Sequence, residues 1–191
     1  MLWDTHMHTH FSGDSNADPA AMARSAIEKN LAGICITDHL DYDYPDEPDL
    51  FTIDFPQYEK GIRQLQADFS DSLNINFGIE LGLQPHLAKK HHEILQEMDF
   101  DFVIGSSHVV HGLDPYYPAY YEGRSEHAAY LEYFESILEN IAAFHEFDVY
   151  GHIDYVVRYG PEKNKNYSYD KYKDVIDEIL RQLIAHGKGI E

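Results

Sequence analysis

The stretch Asp4-Thr5-His6-Met7-His8-Thr9-His10-Phe11-Ser12-Gly13-Asp14 places three imidazoles and two carboxylates close to the start of the chain. In an extended strand alternate side chains share a face, so His6 and His8 point to one centre while Thr5 and Met7 face away. Two neutral imidazoles from one strand end suit zinc, iron or manganese. Taken alone, the pair fits a surface strand carrying histidines equally well. The pattern recurs, however, because later apolar runs end at His39, Glu80, His108 and His152. All six side chains are metal-competent, and Asp14 and Asp38 add carboxylates. The excess of imidazole over carboxylate argues against magnesium or calcium, which take oxygen shells. The candidates outnumber the ligands of one tetrahedral ion, so the set predicts two or three divalent ions with Glu80 able to bridge. Each residue has an ordinary explanation by itself, such as a hydrogen-bonded histidine at a strand end. Gathering them on one rim costs stability unless something neutralises the desolvated charge.

The elements between these residues alternate. A strand over 2–6 is followed by a helix from Asp18-Pro19 to Lys29, with Asp18 as N-cap and Pro19 in the first turn. A buried strand over 31–37 ends at Asp38-His39. Residues 40–56 read as an acidic, aromatic loop, followed by a helix over 55–69 and a strand over 74–81. Pro85 opens a helix to Gln96, in which His91 and His92 beside Lys89 and Lys90 are expected to face solvent. A strand over 102–105, a tyrosine-rich loop over 109–123 and a helix over 125–144 come next. Val149 to His152 is a short strand end continued by Ile153-Asp154-Tyr155. A loop over 158–167 precedes a helix over 168–186, and Gly187 to Glu191 turns into a further strand. Strand and helix in this order predict parallel βαβ units. A barrel or a doubly wound sheet would both collect the strand ends on one edge, so ligands far apart in sequence can meet.

Composition narrows the function. The chain of 191 residues is 43% hydrophobic and 14% aromatic, a globular composition expected to make one domain. There are 34 acidic against 14 basic residues, a formal charge of −20. Such a surface has little with which to neutralise phosphates, which excludes nonspecific nucleic-acid binding, and it favours a cation-loaded site. No apolar run is long enough for a membrane span, and Asp4 and His6 interrupt any signal-like segment. The lone Cys35 lies in an apolar run and fits a reducing compartment, so a soluble cytoplasmic protein is expected. No GxGxxG, P-loop or Gly-x-Ser-x-Gly occurs, which removes the usual markers of dinucleotide, ATP and serine-hydrolase chemistry.

At His6-x-His8, Thr37-Asp38-His39, Glu80, Ser107-His108 and Gly151-His152-x-Asp154 the chain resembles the PHP (polymerase and histidinol phosphatase) superfamily of metal-dependent phosphoesterases. Gly151 to Tyr155 followed by Arg158 resembles its histidinol-phosphatase branch. The resemblance implies a distorted (β/α)7 barrel, similar to a TIM barrel with one strand fewer, and hydrolysis of L-histidinol phosphate in histidine biosynthesis. It implies that His6 and His8 hold one metal, that Glu80 bridges to a second held by His108 and His152, and that Asp14 and His39 hold a third. Arg158 matches a phosphate-binding position. Family members continue through a further strand carrying an Asp-x-His pair, so residues 1–191 are expected to be a single PHP domain that stops after about five and a half β/α units. The leaving alkoxide needs a proton, for which Asp154, a loop histidine or a water on the metal are candidates. His111, three residues past His108, is expected to touch substrate. The substrate would be a small phosphorylated molecule whose cationic end suits carboxylates of the 40–54 loop or Tyr116, Tyr117, Tyr120 and Tyr121. Another PHP phosphoesterase, such as a protein-tyrosine phosphatase, or a non-catalytic metal-binding domain are the competing readings.

Overall fold

The computed structural model describes residues 2–191. Strands β1 (Trp3–Asp4), β2 (Gly33–Ile36), β3 (His39–Leu40), β4 (Asn74–Gly82), β5 (Phe102–Ser106), β6 (Val149–Tyr150) and β7 (Gly189–Ile190) form one curled sheet. Their order is β1-β2-β4-β5-β6-β7, with β3 also on β4, and every pairing is parallel. Parallel strands need crossovers, supplied by helices α1 (Pro19–Glu28), α2 (Phe55–Asp68), α3 (Ala88–Glu97), α4 (Glu126–Ala143), α5 (Tyr155–Tyr159) and α6 (Tyr169–Ala185).

Local chemistry explains the helix starts. Asp18 accepts from the Ala20 and Ala21 amides and caps α1, with Pro19 in its first turn. Asp54 does the same for α2, and Ser125 accepts from the Ala128 amide to open α4. Helix α4 buries Ala129, Tyr133, Ile137 and Ile141 along one face and packs against α6, which buries Tyr172, Ile176 and Ile179. The sheet buries apolar side chains, among which Ile34, Ile36, Phe77, Ile79, Leu81 and Ile104 are fully inaccessible.

One strand is broken. β2 and β3 pair with successive parts of β4, Gly33 with Asn74 and His39 with Glu80, and Thr37-Asp38 lies between them. The break is bridged by the buried hydroxyl of Tyr58 on α2. It lies 3.2 Å from the Ile36 carbonyl and 2.8 Å from the Gly78 carbonyl, and the Asp38 amide donates to it at 3.4 Å. A side chain thus replaces ladder hydrogen bonds where the backbone leaves the sheet. Asp38 turns inward instead of towards solvent, accepting from the Thr9 amide and Thr9 hydroxyl at 2.5 and 2.8 Å. That pair ties the first loop to the broken strand.

Three expectations are corrected. Ile153-Asp154-Tyr155 does not extend β6, because His152 adopts φ of +23° and the chain turns into α5. Arg158 consequently sits on a short helix and not in a loop. His91 is fully buried, its ring packed near Phe144 and Tyr42, with Nε2 3.3 Å from the Gly82 carbonyl. The 3-10 turn Pro85–Leu87 shifts the phase of α3, so that His91 and Ile94 face inward while Lys89 and His92 face out.

Candidate metal centre

Glu80 lies in the interior of β4 and is wholly inaccessible. A carboxylate buried this deeply needs partners, and it has five imidazoles around it. Oε2 lies 3.1 Å from His6 Nε2, from His8 Nε2 and from His39 Nδ1. Oε1 lies 3.3 Å from His108 Nε2 and 3.0 Å from His152 Nε2, and the Ser106 hydroxyl donates to it at 2.7 Å. The two oxygens therefore serve two different sets of rings. Asp14 Oδ2 reaches His8 Nδ1 at 3.3 Å and His39 Nε2 at 3.7 Å, and the Ser12 hydroxyl holds its other oxygen.

A residue that the sequence pattern did not single out completes the set. Asp41 is buried, with Oδ1 2.6 Å from His108 Nδ1 and Oδ2 3.1 Å from His39 Nδ1. It stands two residues after His39, the same-face spacing that links His6 to His8, but it lay within a run of acidic loop residues. The backbone makes room for it at Gly82, where a Cβ would sit 1.9 Å from Asp41 Oδ1. Asp38, by contrast, is engaged by Thr9 and takes no part in any ligand group.

Hydrogen bonds account for only part of this proximity, such as His108 Nδ1 with Asp41 Oδ1 and His152 Nε2 with Glu80 Oε1. His8 Nε2, His39 Nδ1, Asp41 Oδ2, Glu80 Oε2 and His152 Nδ1 are buried without a hydrogen-bond partner, although several are within 3.1 Å of one another. Their lone pairs converge without lying along each other's N–H directions, which is the geometry of donors around shared cations. Four overlapping groups emerge, His6-His8-Glu80, His8-Asp14-His39, His39-Asp41-His108 and Glu80-His108-His152, each with donor atoms within 4.8 Å. The nitrogen and oxygen donors fit zinc, iron or manganese.

The electrostatics reflect this crowding. Burial disfavours charge on His8, yet its bond to Asp14 and the neighbouring charge of Glu80 raise it to about 10. His6 and His108 are raised against the same burial, by Glu80 and by Asp41 respectively. Glu80, Asp14 and Asp41 are all held below the usual carboxylate range, Glu80 and Asp41 against strong desolvation, by the imidazoles that face them. His152 is lowered, by burial first and by the neighbouring His108 and His6 rings.

The rings open on a cleft of 620 Å³ whose walls include Asp14, Asp41, Asp114, Arg158 and a group of tyrosines. Arg158 points into this cleft, and among the described residues no carboxylate lies within 4.0 Å of its guanidinium. Asp154 is exposed at the N-cap of α5 and does not line the cleft. His111 lies apart as well, between Glu132 and Glu139 at 3.1 and 3.0 Å, on the wall of a second cleft.

Residues 4–191 match the PHP domain. A histidinol-phosphatase of Lactococcus lactis subsp. lactis (strain IL1403) is 33% identical over 189 residues, covering 98% of this chain and 70% of the relative. A probable histidinol-phosphatase of Clostridium acetobutylicum is 31% identical over 191 residues, covering 100% of this chain and 72% of the relative. The crystal structure of the Lactococcus lactis histidinol phosphate phosphatase, complexed with Zn, L-histidinol and phosphate, superposes with a TM-score of 0.94 at 33% identity. It covers 99% of this chain and 72% of that one, and the parallel β/α alternation is the same TIM-like fold. A putative histidinol phosphatase from Listeria monocytogenes shares the fold, with a TM-score of 0.84 at 19% identity.

Proposed function

The chain belongs to the PHP domain family, and from that premise we propose that it is a metal-dependent phosphomonoesterase that hydrolyses L-histidinol phosphate to L-histidinol and phosphate. In this reading residues 4–191 act as one catalytic domain within histidine biosynthesis. The observation that carries it is the convergence of five imidazoles on the buried Glu80, with unpartnered lone pairs, beside an arginine free to grip phosphate.

His6, His8 and one Glu80 oxygen would hold one ion, and His108, His152 and the other oxygen a second. Asp14 with His39 would hold a third, and Asp41 orients His108 as its buried acceptor. Divalent ions so placed supply Lewis acidity towards the phosphoryl oxygens and lower the pKa of water. The chain's own contribution is binding and orientation. Arg158 presents its planar fork to two phosphate oxygens, which a lysine's point charge does less well. The buried carboxylates keep the imidazoles in fixed positions, so little reorganisation accompanies the build-up of charge at phosphorus. Asp154 and His111 both lie outside the walls of this cleft.

The test is phosphate release from L-histidinol phosphate by protein dialysed against zinc or manganese, paired with elemental analysis. Turnover that tracks metal content and is abolished by Arg158→Ala or by a chelator is the expected result. Bound metal without release of phosphate would remove the phosphatase reading and leave a metal-binding domain.

A further inference from the structure

The cleft has two chemically different ends. One is the imidazole rim. The other is built around Asp114, which is 4% exposed and sits in the tyrosine-rich segment between β5 and α4. Its Oδ2 accepts from the Tyr44 hydroxyl at 2.6 Å, and its Oδ1 accepts from the Tyr116 amide at 2.7 Å and the Tyr155 hydroxyl at 3.2 Å. Three segments of the chain thus aim donors at one carboxylate, and among the described residues no lysine or arginine lies within 4.0 Å of it. A carboxylate has roughly four lone-pair sites, of which three are used. The carboxylate still lines the cleft. Burial pushes the Asp114 carboxyl upward, against its hydrogen bonds and the neighbouring His108.

Around it stand aromatic faces. Tyr116 packs on Tyr159 at 5.1 Å, Tyr155 on Tyr159 at 4.9 Å, and Tyr44 on Phe51 at 4.8 Å, and all of these side chains line the cleft. Ring faces carry negative potential and attract cations. Tyr155 links the two ends, its ring centroid 5.5 Å from that of His108 and its hydroxyl on Asp114. Arg158 is the one arginine or lysine among the described lining residues, and the phosphate reading assigns it to the anionic end.

We propose that Asp114, within this ring of tyrosines, recognises the cationic end of the substrate and sets a preference for aminoalkyl phosphates over uncharged phosphomonoesters. The proposal rests on the histidinol phosphate reading and adds to it the group that selects among phosphoesters. A cation N–H fills the remaining acceptor site of the carboxylate while its charge lies against the ring faces. Asp114→Asn keeps the shape and one accepting oxygen for Tyr155 and the Tyr116 amide, turns the Tyr44 contact round so that the amide nitrogen donates to the hydroxyl, and removes the charge.

The experiment measures kcat/KM for L-histidinol phosphate and for phenyl phosphate on the zinc-supplemented full chain and on D114N, with a thermal melt of each. Loss of one charge-assisted contact predicts a fall of about 10- to 100-fold in the ratio of the two kcat/KM values, carried by KM for L-histidinol phosphate. A purely structural Asp114 lowers both values together and leaves the ratio where it was, which overturns the proposal. Where D114N does not fold, Asp114→Glu carries the test. It keeps the charge but displaces it by a methylene, so the ratio drops several-fold if Asp114 touches the cation and stays fixed if it does not. A wild type that treats the two esters alike sinks the histidinol phosphate reading itself, whereas discrimination that survives in both variants sinks only the role of Asp114.

Discussion

At the scale of single residues, Glu80 is the side chain on which the site depends. Glu80→Gln keeps its volume and removes the charge that five imidazoles share. Altering groups that merely orient metal ligands costs 10- to 100-fold in affinity. The variant should therefore lose more than about 100-fold, read as zinc retained after dialysis and as phosphate release. His91 offers a test away from the chemistry. Burial pushes its folded-state value down to about 4, below the ordinary 6.5. Between those values the unfolded chain takes up a proton that the folded chain refuses. Stability is therefore lost as pH falls from about 6.5 towards about 4, by on the order of 3 kcal/mol, and this residue adds no slope above that window. In urea titrations, His91→Gln should be the less acid-sensitive protein across this interval, and parallel curves for the two would refute the assignment. The histidines at strand ends were legible in the sequence because each follows an apolar run, where period and position agree. Asp41 was hidden among neighbouring acids that share its type, and Asp114 had no local signal, since its partners Tyr44 and Tyr155 come from distant segments.

At the scale of elements, alternation of apolar runs with capped amphipathic stretches was enough to place most strands and helices within a few residues. Asp18-Pro19 and Ser125 mark helix starts by a chemistry that acts within one turn, so no tertiary knowledge was needed. The failures share a cause. The break between β2 and β3 depends on the Tyr58 hydroxyl, which arrives from a helix 20 residues later, and the turn after β6 depends on an unusual backbone angle at His152. Neither leaves a periodic trace. Tyr58→Phe should leave a buried carbonyl and an amide short of a partner and cost about 1–3 kcal/mol by urea denaturation. A cost near zero would mean that water replaces the hydroxyl. Because Asp38 and His39 follow the break directly, a variant that stays folded should also retain less metal than the unaltered protein after dialysis against zinc.

At the scale of the whole molecule, the sheet converts distance in sequence into proximity. His6 near one edge and Glu191 just beyond β7 meet at 2.9 Å around a curled sheet whose described edge strands, β1 and β7, each have a single neighbour. No helix among the described residues is long and apolar enough to cross a membrane. With ions at about 100 times their dissociation constant, binding adds about 2.7 kcal/mol of stability. For a chain of this length that corresponds to a melting temperature lower by roughly 5–10 °C after chelation, measurable by calorimetry. An unchanged melt would show that ions add nothing to the fold. The sharing of one carboxylate among several rings has an arithmetic outcome. Stripped of ions at neutral pH, His8 and His108 carry protons that face Glu80, Asp14 and Asp41, and a nitrogen must give up its proton before it can act as a donor to zinc. Filling the centre is thus an ion-for-proton exchange. Zinc titrated into unbuffered protein should acidify the solution, and its apparent affinity should weaken as pH falls, about tenfold per pH unit for each proton displaced.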